Sequence, residues 1–279
     1  MTHSSDISPL TRLVARVDRA AAGLADAGIV PSGFPSIDNA LGGGFRRGDL
    51  VVLGGDDSAG CSALTLGIAL RCHPRALVLT GEMQAERAYE RALAMSAKVS
   101  LEAFRLGTVS EEERTRLASS AVALRDRAPV IETLRTGGVD TVARALDASP
   151  EAPLVVVDPL ESLLTRDSGR DEALAYTVLS LKRLALERQV TVLLTAHLPA
   201  LDSTRPDRRP RLTDFGLHGS VGAHADLVLG LFREELYDGD VGISGGAELL
   251  LLKQREGARG YVDLYFASQW GRFEDVLEE

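Results

Sequence analysis

Residues Asp49–Ala69 read DLVVLGGDDSAGCSALTLGIA, and the fold turns on how they are read. The apolar run Leu50–Leu53 has the length and composition of a buried strand. A glycine-rich loop follows over Gly54–Gly60, and a helical pattern starts at Ser62. Strand, glycine loop and helix in that order form a phosphate-binding loop, in which backbone N–H groups and a helix N-terminus cradle an anion. The pattern G-x-x-x-x-G-K-[ST] aligns with Gly55, Asp56, Asp57, Ser58, Ala59, Gly60, Cys61 and Ser62. Both glycines and the final hydroxyl are in register. Cysteine stands where the pattern has lysine, and two aspartates occupy the loop where phosphates approach.

Outward from that stretch, composition sets the class. The chain has 279 residues, 45% hydrophobic and 25% charged, enough for one large globular domain. No apolar run approaches the roughly 20 residues of a membrane span. The first ten residues lack a signal peptide's basic-then-apolar layout. Two cysteines, Cys61 and Cys72, make neither a disulfide framework nor a metal pattern, and the expected location is cytoplasmic. A net charge of −9 argues against a surface that coats nucleic acid as a whole, and leaves room for a local basic groove.

Before the loop, Ser8 and Pro9 make a helix start, and Leu10, Leu13, Val14, Val17, Ala21 and Leu24 follow helical spacing until Gly28. Residues 1–28 thus read as an N-terminal amphipathic linker helix, packed on its own core or docked on a neighbouring subunit, and 29–279 as the main domain. After the loop, apolar strands at Ala76–Thr80, Val130–Glu132, Leu154–Asp158 and Val190–Thr195 alternate with helices at Ala85–Lys98, Ser110–Arg127, Thr141–Ala148 and Asp171–Arg188. Ser110 and Glu113 stand at capping-box spacing. Strands at Leu227–Phe232, Glu248–Gln254 and Val262–Phe266 close the chain with short connections. The alternation predicts an α/β fold: a mostly parallel central sheet with helices on both faces and an antiparallel edge.

A phosphate loop of this kind needs a Mg²⁺-binding aspartate at a neighbouring strand end, and Asp158, closing LVVVD, fits. It also needs a carboxylate to polarise water, and Glu82 stands just past the strand Ala76–Thr80. The ordinary alternatives are a strand-end turn cap and an exposed surface glutamate.

Seven stretches then appear in order: GFPSIDNALGGGFRRGDLVVLGG, LTGEM, LVVVDPLESL, LKRLALERQVTVLLTAHL, RPRLTDF, GSVGAHADLVLGLFREE and LLKQREGARG. Together they resemble the C-terminal motor domain of DnaB-type replicative helicases, RecA-like P-loop NTPases of superfamily 4, from about Gly33 to Phe273. The resemblance implies ATP and Mg²⁺ as cofactors, single-stranded DNA as ligand, a self-assembled ring of six, and contact with other replication proteins. By position it makes Glu82 the catalytic glutamate, Asp158 the Walker B aspartate and His197 the γ-phosphate sensor, where the helicases usually have glutamine. It makes Lys253 and Arg255 the pair that reaches a neighbour's γ-phosphate. Gly55, Ser58, Gly60, Cys61 and Ser62 form the nucleotide loop, with Ser62 and Asp158 on the metal. The loops that hold DNA in the family carry Arg166 and Arg170, then Arg205, Arg208, Arg209 and Arg211.

The departures matter as much. A unit charge at 4 Å is worth about 4 kcal/mol at an effective dielectric of 20, so loss of the lysine and gain of carboxylates should weaken ATP binding by orders of magnitude. The family's primase-contacting N-terminal domain does not fit into 28 residues. Three readings stand: an ATP-driven DNA translocase, supported by Glu82, Asp158, Ser62, Lys253 and Arg255; a non-hydrolysing ring or regulatory partner, supported by Cys61, Asp56 and Asp57; and a RadA- or KaiC-like ATPase, which His197 favours.

Overall fold

The computed structural model describes residues 8–24, 26–135, 137–164, 170–198, 204–216, 219–237 and 243–276. Strands β1 (Ile29–Val30) and β2 (Phe45–Arg46) pair with each other outside the main sheet. The other nine are β3 (Leu50–Gly55), β4 (Leu77–Thr80), β5 (Val130–Thr133), β6 (Leu154–Asp158), β7 (Thr191–His197), β8 (Leu227–Phe232), β9 (Gly246–Gln254), β10 (Gly260–Ala267) and β11 (Arg272–Asp275). They form one sheet in the order β11-β10-β9-β8-β3-β7-β6-β4-β5. From β8 to β5 every neighbouring pair is parallel, and β9, β10 and β11 add an antiparallel edge. The mostly parallel sheet with an antiparallel edge is therefore as the sequence predicts.

The run LVVL is continuous because both faces of β3 are covered. Val51 and Leu53 enter one core with Phe34, Ile37, Leu64 and Ile68. Leu50 and Val52 enter a second with Val142, Leu146, Val178 and Leu181. The first core lies under α2 (Pro35–Ala40), α3 (Cys61–Arg71) and α4 (Ala85–Ala97); the second lies under α7 (Val139–Ala148) and α8 (Arg170–Arg188). Two further helices, α5 (Leu101–Leu106) and α6 (Glu111–Leu124), follow α4, and a short α9 (Ser220–His224) precedes β8. Ser110 and Glu113 form the expected capping box at the start of α6.

Several sequence expectations change. Helix α1 (Pro9–Ala21) starts as expected, with Ser8 Oγ accepting the Thr11 N–H, but ends short of Ala27. Gly23 takes a left-handed φ of 71° and the Leu24 N–H turns back to the Arg19 carbonyl, which terminates the helix. Leu10, Val14 and Val17 are 69%, 52% and 59% exposed, so α1 does not bury its apolar stripe in its own core. The segment of residues 29–48, for which the sequence showed no element, contains β1, α2 and β2. Elements α5 and β11 were not foreseen, because six residues and the string RFED are too short to show a period.

Candidate nucleotide-binding site

Four parallel strands end side by side at one edge of the sheet. Gly55 at the end of β3 is in register with His197 at the end of β7, and Thr80 at the end of β4 with Asp158 at the end of β6. In open α/β sheets ligands bind beyond the carboxyl ends of the strands.

The loop leaving β3 is tightly wound. The Ala59 N–H bonds the Asp56 carbonyl and the Asp57 N–H bonds the Asp56 carboxylate. Ser58 has a φ of 67°, and Gly60, just before α3, has a φ of 103°. A side chain on Gly60 would be strained and would also come within 3.0 Å of the Phe273 ring. A Cβ on Gly55 would lie 2.8 Å from the Leu231 carbonyl oxygen and 3.1 Å from Cys61 Sγ, so only glycine fits. Helix α3 begins at Cys61, one residue earlier than the sequence suggests, and its free N–H groups open onto the loop.

Burial, and then the Asp158 carboxylate, push the Cys61 thiol up to about 12. Position 61 is therefore neutral near pH 7. Next to it, Ser62 Oγ donates to Asp158 Oδ1 at 3.0 Å, and Thr195 Oγ1 donates to the same oxygen at 2.5 Å. Above them, Glu82 Oε1 lies 3.5 Å from His197 Nε2, and both side chains are half exposed. Glu161 accepts the His197 backbone N–H at 3.3 Å and lies 3.9 Å from Nδ1. Thr195 and Glu161 were not singled out from the sequence; Glu161 is three residues past Asp158, in a turn whose path the sequence does not reveal. Among the described residues no three His, Cys, Asp or Glu side chains converge as a protein-only metal site. The hydroxyl and carboxylate of Ser62 and Asp158 suit a hard cation whose other ligands come from phosphate and water.

The segment after β8 grips the loop from behind. Arg233, almost fully buried, donates to the Ser58 carbonyl at 3.1 Å, pairs with Glu235 and lies over the Phe266 ring. Tyr237 donates its hydroxyl proton to Asp56 at 2.8 Å. Beside the first turn of α3, a cleft of about 400 Å³ is lined by Ser62, Leu66, Met95, Phe266 and Trp270.

So Gly55, Ser58, Gly60, Cys61, Ser62, Glu82, Asp158 and His197 come together. Lys253 and Arg255 do not join them. Because β9 runs antiparallel to β8, Gln254 pairs with Leu227 at the opposite edge of the sheet. There Lys253 donates to the Gly222 and Ala225 carbonyls, and burial lowers its pKa. Arg255 pairs with Asp226 at 2.8 Å and is half exposed. Asp226 is buried and also binds Lys182 and the Leu50 N–H.

The arginines expected to hold DNA are mostly engaged within the chain. Arg205 makes two bonds to Asp214, at 3.0 and 2.9 Å. Arg209 forks onto Glu248 and lies 4.8 Å over Phe232. Arg208 lies 5.6 Å over Tyr237. Arg211 is exposed. Arg170 opens α8, and its side chain, like all of Arg166, lies outside the described residues.

Residues 29–275 match the family model described as DnaB-like helicase C terminal domain. The replicative DNA helicase DnaB of Geobacillus stearothermophilus is 27% identical over 256 residues, covering 88% of this chain and 56% of the relative. The chain thus spans about half the length of the curated relatives it matches. Among solved structures, a DnaB-like replicative helicase, described with its interactions with primase, superposes with a TM-score of 0.86 at 22% identity, covering 98% of this chain and 68% of that one. A KaiC-like protein from Pyrococcus horikoshii gives a TM-score of 0.58 at 19% identity, covering 89% and 99%. Both establish likeness of fold.

Proposed function

The chain belongs to the DnaB-like helicase C-terminal domain family, and on that premise we propose that it is a ring-forming, RecA-like module that binds single-stranded DNA in replication or repair and turns over ATP poorly or not at all. The observation that carries this reading is the neutral, partly buried thiol of Cys61 beside the clustered Ser62, Asp158, Glu82 and His197.

Two halves of the site behave differently on this reading. Ser62 and Asp158 would hold Mg²⁺, and Glu82, with His197 beside it, would orient water. Bound Mg²⁺ would neutralise phosphate charge. At the phosphate end the α3 N-terminus contributes only its partial positive charge, and Asp56 and Asp57 oppose an incoming anion. Affinity for ATP is then low, and the apolar cleft beside Ser62 carries much of what remains by seating the base. Lys253 and Arg255, on the far edge of the sheet, serve a neighbour's site, and the exposed stripe of α1 docks on that neighbour. Both features suit a closed ring, and the location is cytoplasmic.

A second reading, an ATP-driven translocase, is favoured by the Glu82, His197, Asp158 and Ser62 constellation. Calorimetry with ATP and ADP, with and without Mg²⁺, separates the two, alongside ATP hydrolysis in the presence of an oligo-dT strand. The proposal expects no submicromolar nucleotide binding and no hydrolysis above that of Glu82→Gln. Submicromolar ATP affinity with DNA-stimulated turnover would establish the translocase instead.

A further inference from the structure

The phosphate loop and the arginine loop are distant in sequence, yet one side chain touches both. Tyr237 Oη donates to Asp56 Oδ2 at 2.8 Å across 181 residues of chain. The same ring stacks on Phe232 with centroids 5.6 Å apart and planes 12° from parallel. Arg208 lies 5.6 Å over the Tyr237 ring and Arg209 4.8 Å over Phe232. The stack therefore has the phosphate loop at its hydroxyl end and the arginine loop on its faces. We propose that Tyr237 is a positioning residue that couples the phosphate loop to the arginine loop through its bond to Asp56.

Three observations support the proposal. A neutral hydroxyl bonded to a carboxylate makes a charge-assisted hydrogen bond, about twice as strong as a neutral one. Burial, and then the bond to Asp56, raise the Tyr237 pKa, so the phenol stays protonated and keeps donating. The segment that carries Tyr237 is itself anchored: Arg233 donates to the Ser58 carbonyl, and Glu235 accepts from Arg233 and from the Gly245 N–H. A shift of Asp56 is thus passed to the Tyr237 ring rather than absorbed by a slack turn. Asp57, the next residue, supplies the built-in comparison, because its backbone N–H caps the Asp56 carboxylate without reaching Tyr237.

The inference rests on the placement of the two loops and not on turnover. An anion entering the phosphate loop repels Asp56, and the tie passes that displacement to Arg208. By reciprocity, a phosphate backbone that draws Arg208 away loosens Asp56.

Hydrogen exchange by mass spectrometry on the full chain tests the tie without any ligand, so its outcome is independent of the proposed ATP and DNA binding. The variants are Asp56→Asn, Tyr237→Phe and Asp57→Asn. Tyr237→Phe keeps the ring stack and removes only the hydroxyl. Expected is exchange faster by about fivefold across residues 207–212 in Asp56→Asn and Tyr237→Phe, and unchanged in Asp57→Asn. Exchange in β3, β6 and β7 serves as the folding control. Identical exchange in 207–212 for all four proteins, or an equal rise in Asp57→Asn, would overturn the coupling. A rise in Tyr237→Phe alone would also overturn it, because the phosphate loop would then have no part.

Discussion

Ser62 Oγ donates to Asp158 Oδ1 at 3.0 Å, tying the first turn of the phosphate-loop helix to the end of β6. Thr195 bonds the same oxygen from β7. Three elements thus meet at the Asp158 carboxylate, while Cys61, one residue before Ser62, carries no charge near pH 7.

Cys61→Lys should raise ATP affinity by about tenfold or more, because even a third of the charge interaction at 4 Å is worth about 1.4 kcal/mol. Combining it with Asp56→Asn and Asp57→Asn should raise it further. Calorimetry reads this directly; unchanged affinity in the triple variant would show that charge is not what limits binding.

Deleting residues 1–28 should shift a ring towards monomer in light scattering. Leu10, Val14 and Val17 are largely exposed, so their stripe is left for a neighbour to cover. A chain that is monomeric with and without the helix would remove α1 from assembly.

Single-stranded DNA should bind through the arginine loop, as read by anisotropy across a salt series. Four free arginines would change the log–log slope by about 2.8 when replaced with alanine, at about 0.7 per contact. Arg205 and Arg209 are held by Asp214 and Glu248, and Arg208 lies over Tyr237, so replacing Arg205, Arg208, Arg209 and Arg211 together should change it by less than that. An unchanged slope would place the DNA on another surface, and no binding at low salt would favour a protein partner.

Asp49 should make the fold less stable at neutral pH than at mildly acidic pH. Burial, then the charge of Asp226, raise its pKa from 3.8 to about 6. The folded chain therefore holds a proton between those values that the unfolded chain releases. The stabilisation is complete below about pH 4 and is lost as pH rises through 6. Asp49→Asn should accordingly stabilise the fold at pH 7–8 by about 1–2 kcal/mol after allowance for screening, read as a higher Tm, with the gain shrinking below pH 5. A pH-independent difference would assign the effect to packing.

The sequence by itself determined the fold class and singled out residues that the fold brings together at one end of the sheet. Apolar runs such as LVVVD and LVVL are continuous because both faces of each strand are covered, a local pattern that survives without coordinates. The glycine loop, Glu82 and Asp158 were legible because each stands at a strand end, where chain order already sets position, and His197 through the resemblance to the helicase motor domain. What only the tertiary structure decided is which charges meet. Tyr237 reaches Asp56 across 181 residues, Glu161 turns back onto His197, and Arg205 and Arg209 are neutralised by Asp214 and Glu248. The antiparallel direction of β9 puts Lys253 and Arg255 at the edge away from their own loop. A string of residues records that these side chains are present, but their partners are set by how strands pair and how connections fold back, and no local period encodes that.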